Sequence, residues 1–145
     1  MKKSIIALCL LTYAVGFSQD WATSFEAARR KAAAENKTIL LLFSGPEWCD
    51  TCARLDELVF SSEAFKAEAQ KKWVLLRADF AEKKGMPEPF DVNDEKVILA
   101  EKYNRDGFFP FVVLLDKTGK KLGKTGYEDL DTADEYVAQY VNMGR

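Results

Sequence analysis

The chain has 145 residues, with 21 basic and 23 acidic side chains, a formal net charge of −2 and no histidine. That length suits one domain with a real core and is short for two, and so even a balance of charge lacks the basic patch that nucleic acid calls for. The missing histidine excludes Ser-His and Cys-His catalysis as well as mixed Cys/His zinc sites.

The first residues read as a processing signal. Lys2 and Lys3 form a basic start, and Ile5 to Val15 is an apolar run too short to cross a bilayer. Gly16 and Ser18 then place small residues at −3 and −1 of a cut after Ser18. A signal peptide over residues 1–18 and one domain over residues 20–145 are therefore expected, with the mature protein periplasmic or secreted. The other reading is an N-terminal core helix. Cleavage removes Cys9, and the bulky Leu8 before it argues against lipid attachment there. Cys49 and Cys52 remain, in a compartment that permits oxidation.

Thr23-Ser24-Phe25-Glu26 has the form of a capping box, followed by the alanine-rich "FEAARRKAAAENK", which favours helix. Phe25, Ala28 and Ala32 share one face, and Asn36-Lys37 close the helix. The apolar run Thr38 to Phe43 fits a strand covered on both faces. After the cysteines, Leu55, Leu58 and Val59 line one helical side, and Ser61 or Ser62 caps a second helical piece that turns Phe65 inward. Trp73 to Phe80 is a second buried strand, with Trp73 and Trp21 expected in the core. Residues 81–94 form a loop by their glycine, two prolines and charges, and the segment 81–92 should lie on the cysteine side of the sheet.

The stretch "EKVILAEKYN" is a short helix with Val97, Leu99 or Ala100, and Tyr103 as its contacts. Phe108 to Asp116 is a strand with Pro110 near its start, and a turn at Asp116–Gly119 joins it to a return strand, residues 120–127. Asp131 caps a last helix that buries Tyr136, Val137 and Tyr140. The order α-β-α-β-α-β-β-α predicts an α/β fold: a mixed central sheet, helices on both faces, and a C-terminal hairpin plus helix. The first two strands, joined through a helix, should be parallel.

Cys49 falls where a buried strand ends and a helix begins, which is where such sheets carry their sites. Unpaired N–H groups and about half a positive charge at a helix start stabilise a thiolate. A C-x-x-C cysteine there titrates well below the ordinary value, and the thiolate is the reactive form. Cys52 lies one turn further on, deeper and close enough to bond. The competing reading is a static disulfide, although so short a ring constrains the unfolded chain little. Zinc is a third, with two sulfurs and no second C-x-x-C.

Trp48-Cys49-Asp50-Thr51-Cys52 resembles the W-C-x-x-C active site of the thioredoxin family, and Phe109-Pro110 before "FVVLLDKTG" resembles its cis-proline strand. More narrowly, the chain is similar to exported bacterial thioredoxin-like proteins. The matching residues are Asp20-Trp21, Lys37, Phe43-Ser44-Gly45, Val59-Phe60-Ser61, Ala78-Asp79-Phe80, Gly107 and Gly123 to Tyr127, and the likeness extends from residue 20 to about 143.

The resemblance implies a thioredoxin fold and thiol–disulfide exchange with protein thiols and disulfides. Cys49 would attack, Cys52 would resolve, and Trp48, Phe109 and Pro110 would form the substrate surface. Pro110 would be cis, with the Phe109 backbone pairing an extended substrate; alternatively Pro110 merely opens an edge strand. No cofactor, metal or nucleic acid is expected, and the protein should be a monomer recharged by a membrane-embedded electron donor. A disulfide oxidase or isomerase, or a binding module with a static disulfide, are the alternatives to a reductant.

Four positions depart from the family. Asp50-Thr51 replaces the frequent Gly-Pro, Phe43 stands where thioredoxin has a buried acid, and Phe111 follows the proline where threonine is usual. A carboxylate beside a thiol opposes its ionisation. Asp50→Asn is therefore expected to lower the pKa of the reduced Cys49, followed by thiolate absorbance; an unchanged or higher pKa would contradict this role for Asp50.

Overall fold

The structure is a computed structural model, and it describes residues 19–81 and 91–145. The expected signal segment, residues 1–18, and most of the expected loop lie outside the described residues. The elements in chain order are β1 (Trp21–Ala22), α1 (Phe25–Glu35), β2 (Thr38–Ser44), α2 (Asp50–Leu55) continued by a π-helical segment (Asp56–Phe60), and α3 (Glu63–Lys72). Then come β3 (Trp73–Asp79), α4 (Glu95–Tyr103), β4 (Phe111–Leu115), β5 (Lys121–Thr125) and α5 (Ala133–Asn142).

The strands form one mixed sheet in the order β1-β3-β2-β4-β5. β2 pairs with β3 in parallel from Thr38 opposite Trp73 to Ser44 opposite Asp79, so both strands end at the same level. β4 runs antiparallel to β2, with Phe111 opposite Phe43, and β5 closes that side as an antiparallel edge. β2 is central, and Ile39 to Phe43 are buried on both faces, which is why this stretch is uninterruptedly apolar. One face carries α1 and α4: Ala28, Ala32, Leu99 and Tyr103 pack on Ile39, Leu41, Phe43 and Val113. The other carries α2, its π-helical continuation, α3 and α5: Leu55, Val59, Phe65, Tyr136 and Tyr140 pack on Leu40, Leu42 and Leu75.

Apart from the added strand β1, the element order agrees with the sequence, and the other differences lie at element ends. α1 is capped by Ser24, whose Oγ accepts from the Ala27 N–H, and not by a Thr23–Glu26 box. Glu26 instead pairs with Arg29 and Arg30, while the Phe25 N–H donates to Glu95 of α4. α5 is capped by Thr132 rather than Asp131, because Glu135 completes a reciprocal box with Thr132 and holds the Asp131 N–H as well. Those bonds keep the Glu135 carboxyl below the usual carboxylate range, the Thr132 hydroxyl contributing most. Ser62, not Ser61, caps α3. Trp21 is only half-buried and opens the short strand β1, which the sequence order did not contain, and β4 begins after Pro110.

Two contacts brace the helices beneath the cysteines. Arg77 of β3 forks onto Asp56, with Nη1–Oδ1 at 2.7 Å and Nη2–Oδ2 at 3.2 Å, reaches Asp79 through Nε at 3.1 Å, and lies over the Trp21 ring. Burial works against the Arg77 charge, but its two carboxylate partners outweigh that and hold its pKa above the ordinary value. Phe65 is fully buried, edge-on to Phe60 at 5.0 Å and tilted against Trp73 at 5.7 Å. Phe65→Ala is expected to cost about 3–5 kcal/mol, through lost burial and the cavity left behind. Urea unfolding should show a lower midpoint at an unchanged slope, and a loss under about 1 kcal/mol would contradict this packing.

Candidate active site

β2 ends at Ser44 and β3 at Asp79, and the Phe80 N–H donates to the Ser44 carbonyl at 2.8 Å, joining the two chains just past the sheet. From there the chain turns through Gly45, whose carbonyl accepts from the N–H groups of Trp48 (3.1 Å) and Cys49 (2.9 Å). Cys49 is extended, at φ −108° and ψ 102°, and caps α2: its sulfur accepts the Cys52 N–H at 3.2 Å. The Thr51 hydroxyl lies 3.4 Å from the same sulfur. Cys49 and Cys52 form a disulfide, with Cα atoms 5.2 Å apart. Cys49 is half-buried, whereas Cys52 is 1% exposed. Cys49 is therefore the more exposed residue of the pair.

Trp48 stands beside the disulfide, 42% exposed. Its indole N–H donates to the Phe80 carbonyl at 2.7 Å, and its ring meets Phe109 edge-on at 5.4 Å. Phe80 meets Phe109 in the same way, also at 5.4 Å. The three rings thus link the chain after β2, the chain after β3 and the chain before β4. The Phe109–Pro110 peptide is cis, and Pro110 is buried. The antiparallel register, with Phe111 opposite Phe43, carries Pro110 to the level of Ser44, next to the start of the cysteine turn. The structure thus brings Trp48, Cys49, Cys52, Phe109 and Pro110 to one end of the sheet. Among the described residues, no group of three or more His, Cys, Asp or Glu side chains could hold a metal ion.

Three further residues belong to the site that the sequence did not single out for it. Phe80 supplies both a carbonyl and a ring. Gly45 lies under the Trp48 indole, and a Cβ there would overlap the ring. Asn104 is 4% exposed, and its side-chain amide binds the Phe108 backbone twice, donating to the carbonyl at 2.8 Å and accepting from the N–H at 3.0 Å. Gly107, at φ +68°, makes the turn that lets Phe108 come back to Asn104. The signal was present in "YNRDGFFP", an asparagine at a helix end shortly before a glycine turn. Phe43, at the place of the thioredoxin acid, is fully buried on the α1/α4 face against Phe111.

Residues 20–117 match a family model described as thioredoxin-like, and the chain belongs to that family. Disulfide bond reductase DsbH of Chlamydia pneumoniae is 30% identical over 105 residues, covering 72% of this chain and 61% of that protein. Thiol:disulfide interchange protein DsbD of Campylobacter jejuni (strain RM1221) is 30% identical over 115 residues, covering 79% of this chain and 18% of DsbD. The chain thus spans less than two thirds of the length of these curated relatives. Among solved structures, one titled DsbH oxidoreductase aligns with a TM-score of 0.75 at 26% identity, over 97% of this chain and 94% of that one. A thioredoxin from Thermus thermophilus aligns at 0.60 with 19% identity, over 87% of each chain, a likeness of fold.

Replacing Asn104 by leucine leaves the Phe108 N–H and carbonyl without their partner. Asn104→Leu is expected to lower stability by about 1–3 kcal/mol in chemical denaturation, and an unchanged midpoint would show that these bonds carry no weight.

Proposed function

We propose that the protein is a thiol–disulfide oxidoreductase that reduces protein disulfides in the bacterial cell envelope. The observation that carries this reading is the unequal pair at the head of α2: a half-buried Cys49, its sulfur held by a backbone N–H, bonded to a buried Cys52. In the reduced protein the same N–H and the helix start favour the Cys49 thiolate. That thiolate attacks one sulfur of a substrate disulfide, the other sulfur leaves as a thiolate, and a mixed disulfide forms on Cys49. Cys52, deprotonated in its turn, then attacks the Cys49 sulfur. The Cys49–substrate bond breaks, the second substrate sulfur leaves, and the Cys49–Cys52 bond closes. Two electrons have passed from the cysteine pair to the substrate.

The half-exposed Trp48 and the Phe109 segment supply an apolar face beside the reacting sulfur, and the Phe109 backbone offers a pairing edge to an extended chain. The reducing direction is supported by the similarity to a protein named disulfide bond reductase. A reductant must be recharged, and we assign that step to a membrane-embedded electron donor. The export-signal pattern of residues 1–18 supports a mature protein, with its domain over residues 20–145, that is periplasmic or secreted, and we assign it as a monomer. No helix among the described residues is long and apolar enough to cross a membrane.

Insulin reduction in the presence of dithiothreitol tests the reading. The wild type should accelerate precipitation of the insulin B chain, and Cys49→Ser should fall to the uncatalysed rate while keeping its far-UV circular dichroism. A wild type no faster than Cys49→Ser would reduce the protein to a binding module with a static disulfide.

A further inference from the structure

Resolution of the mixed disulfide requires the Cys52 sulfur to become an anion at a position only 1% exposed. Water cannot solvate it there, and a buried charge without a partner is costly. The residue at the place of the thioredoxin acid, Phe43, is apolar and packs on the opposite face of the sheet from α2. Among the described residues a polar hydrogen does point at this sulfur: the Gly45 N–H, 3.5 Å from Cys52 Sγ and buried with it.

The peptide that carries this N–H is held from its other side. Its carbonyl is that of Ser44, which accepts the Phe80 N–H at 2.8 Å. In a trans peptide the carbonyl and the N–H point in opposite directions, so fixing the first aims the second. Phe80 is itself held through its own carbonyl by the Trp48 indole N–H at 2.7 Å. The indole in turn lies against Gly45, where a Cβ would overlap it. Trp48, Phe80, Ser44 and Gly45 thus form a closed arrangement that ends in a hydrogen bond to the buried sulfur.

We infer that the Gly45 N–H is a catalytic group: it stabilises the Cys52 thiolate that attacks the Cys49–substrate disulfide, and position 45 is glycine because the Trp48 indole covers its Cα. The inference rests on the exchange reaction proposed above. No proton is taken by Gly45. The Cys52 proton passes to a base in solution, and the N–H lowers the energy of the anion left behind. A hydrogen bond to a charged group in such a site is worth more than a neutral one.

The test separates the two chemical steps with dithiobis(nitrobenzoate) as the disulfide and fully reduced protein as the nucleophile. Attack by Cys49 releases one thionitrobenzoate, and attack by Cys52 on the mixed disulfide releases the second. The variants compared are Gly45→Ala/Trp48→Ala and Gly45→Pro/Trp48→Ala. Both have room for a Cβ, and only the proline lacks the N–H. The expected result is an alike first release and a second release at least about tenfold slower in the proline variant, the scale of one hydrogen bond to an anion. Equal second rates in folded variants would overturn the inference and leave the exchange reaction standing. A wild type that stops after the first release would overturn both. Should the proline variant not fold, the reduced wild type decides. Its Gly45 amide proton resonance should shift as Cys52 ionises, and an amide that does not respond would overturn the inference.

Discussion

A sulfur at a helix start that accepts the N–H of the residue three positions later is held in one place and offered a partial positive charge. In this chain that sulfur belongs to Cys49, and the bond from the Cys52 N–H both caps α2 and draws the second cysteine beneath the first. Much of the remaining architecture serves to place that turn. The parallel pairing of β2 and β3 brings two strand ends to one level, the apolar packing of Leu55 and Val59 fixes the helix axis, and Arg77 ties Asp56 back to the sheet. The helix can therefore begin where the sheet stops.

The aromatic cluster gives this turn a rigid wall. Trp48, Phe80 and Phe109 come from three separate chain segments, and their edge-on contacts and one indole hydrogen bond connect them. Asn104 acts one layer back, holding Phe108 and thereby the approach to Phe109 and Pro110. A half-buried sulfur beside a fixed apolar surface suits exchange with a protein disulfide, where the partner's flanking residues must be oriented before sulfur meets sulfur.

The parts of this arrangement that were legible in sequence are those written in local pattern. The run Thr38 to Phe43 announced a doubly covered strand, the alanine face of α1 and the Tyr136-Val137-Tyr140 face of α5 announced buried helices, and the cysteine spacing at a strand-to-helix junction announced the site. What stayed hidden depends on contacts between distant segments. Glu26 is placed to complete a box on Thr23 and pairs with arginines instead, while Glu95, remote in sequence, takes the Phe25 N–H. Gly45 stands in the sequence only as part of the matching Phe43-Ser44-Gly45 stretch, with no sign that the Trp48 ring covers it, and Asn104 reads as a helix end until Phe108 returns to it.

The most direct measurement is equilibration of the folded wild type with dithiothreitol and glutathione buffers of graded potential, each sample quenched by alkylation and read by mass spectrometry. A reversible two-electron transition between the Cys49–Cys52 disulfide and the dithiol is expected, with Cys49 alkylated well ahead of Cys52 in the folded dithiol. A disulfide that opens only when the protein unfolds, or two cysteines that react alike once reduced, would contradict an activated, accessible sulfur at position 49.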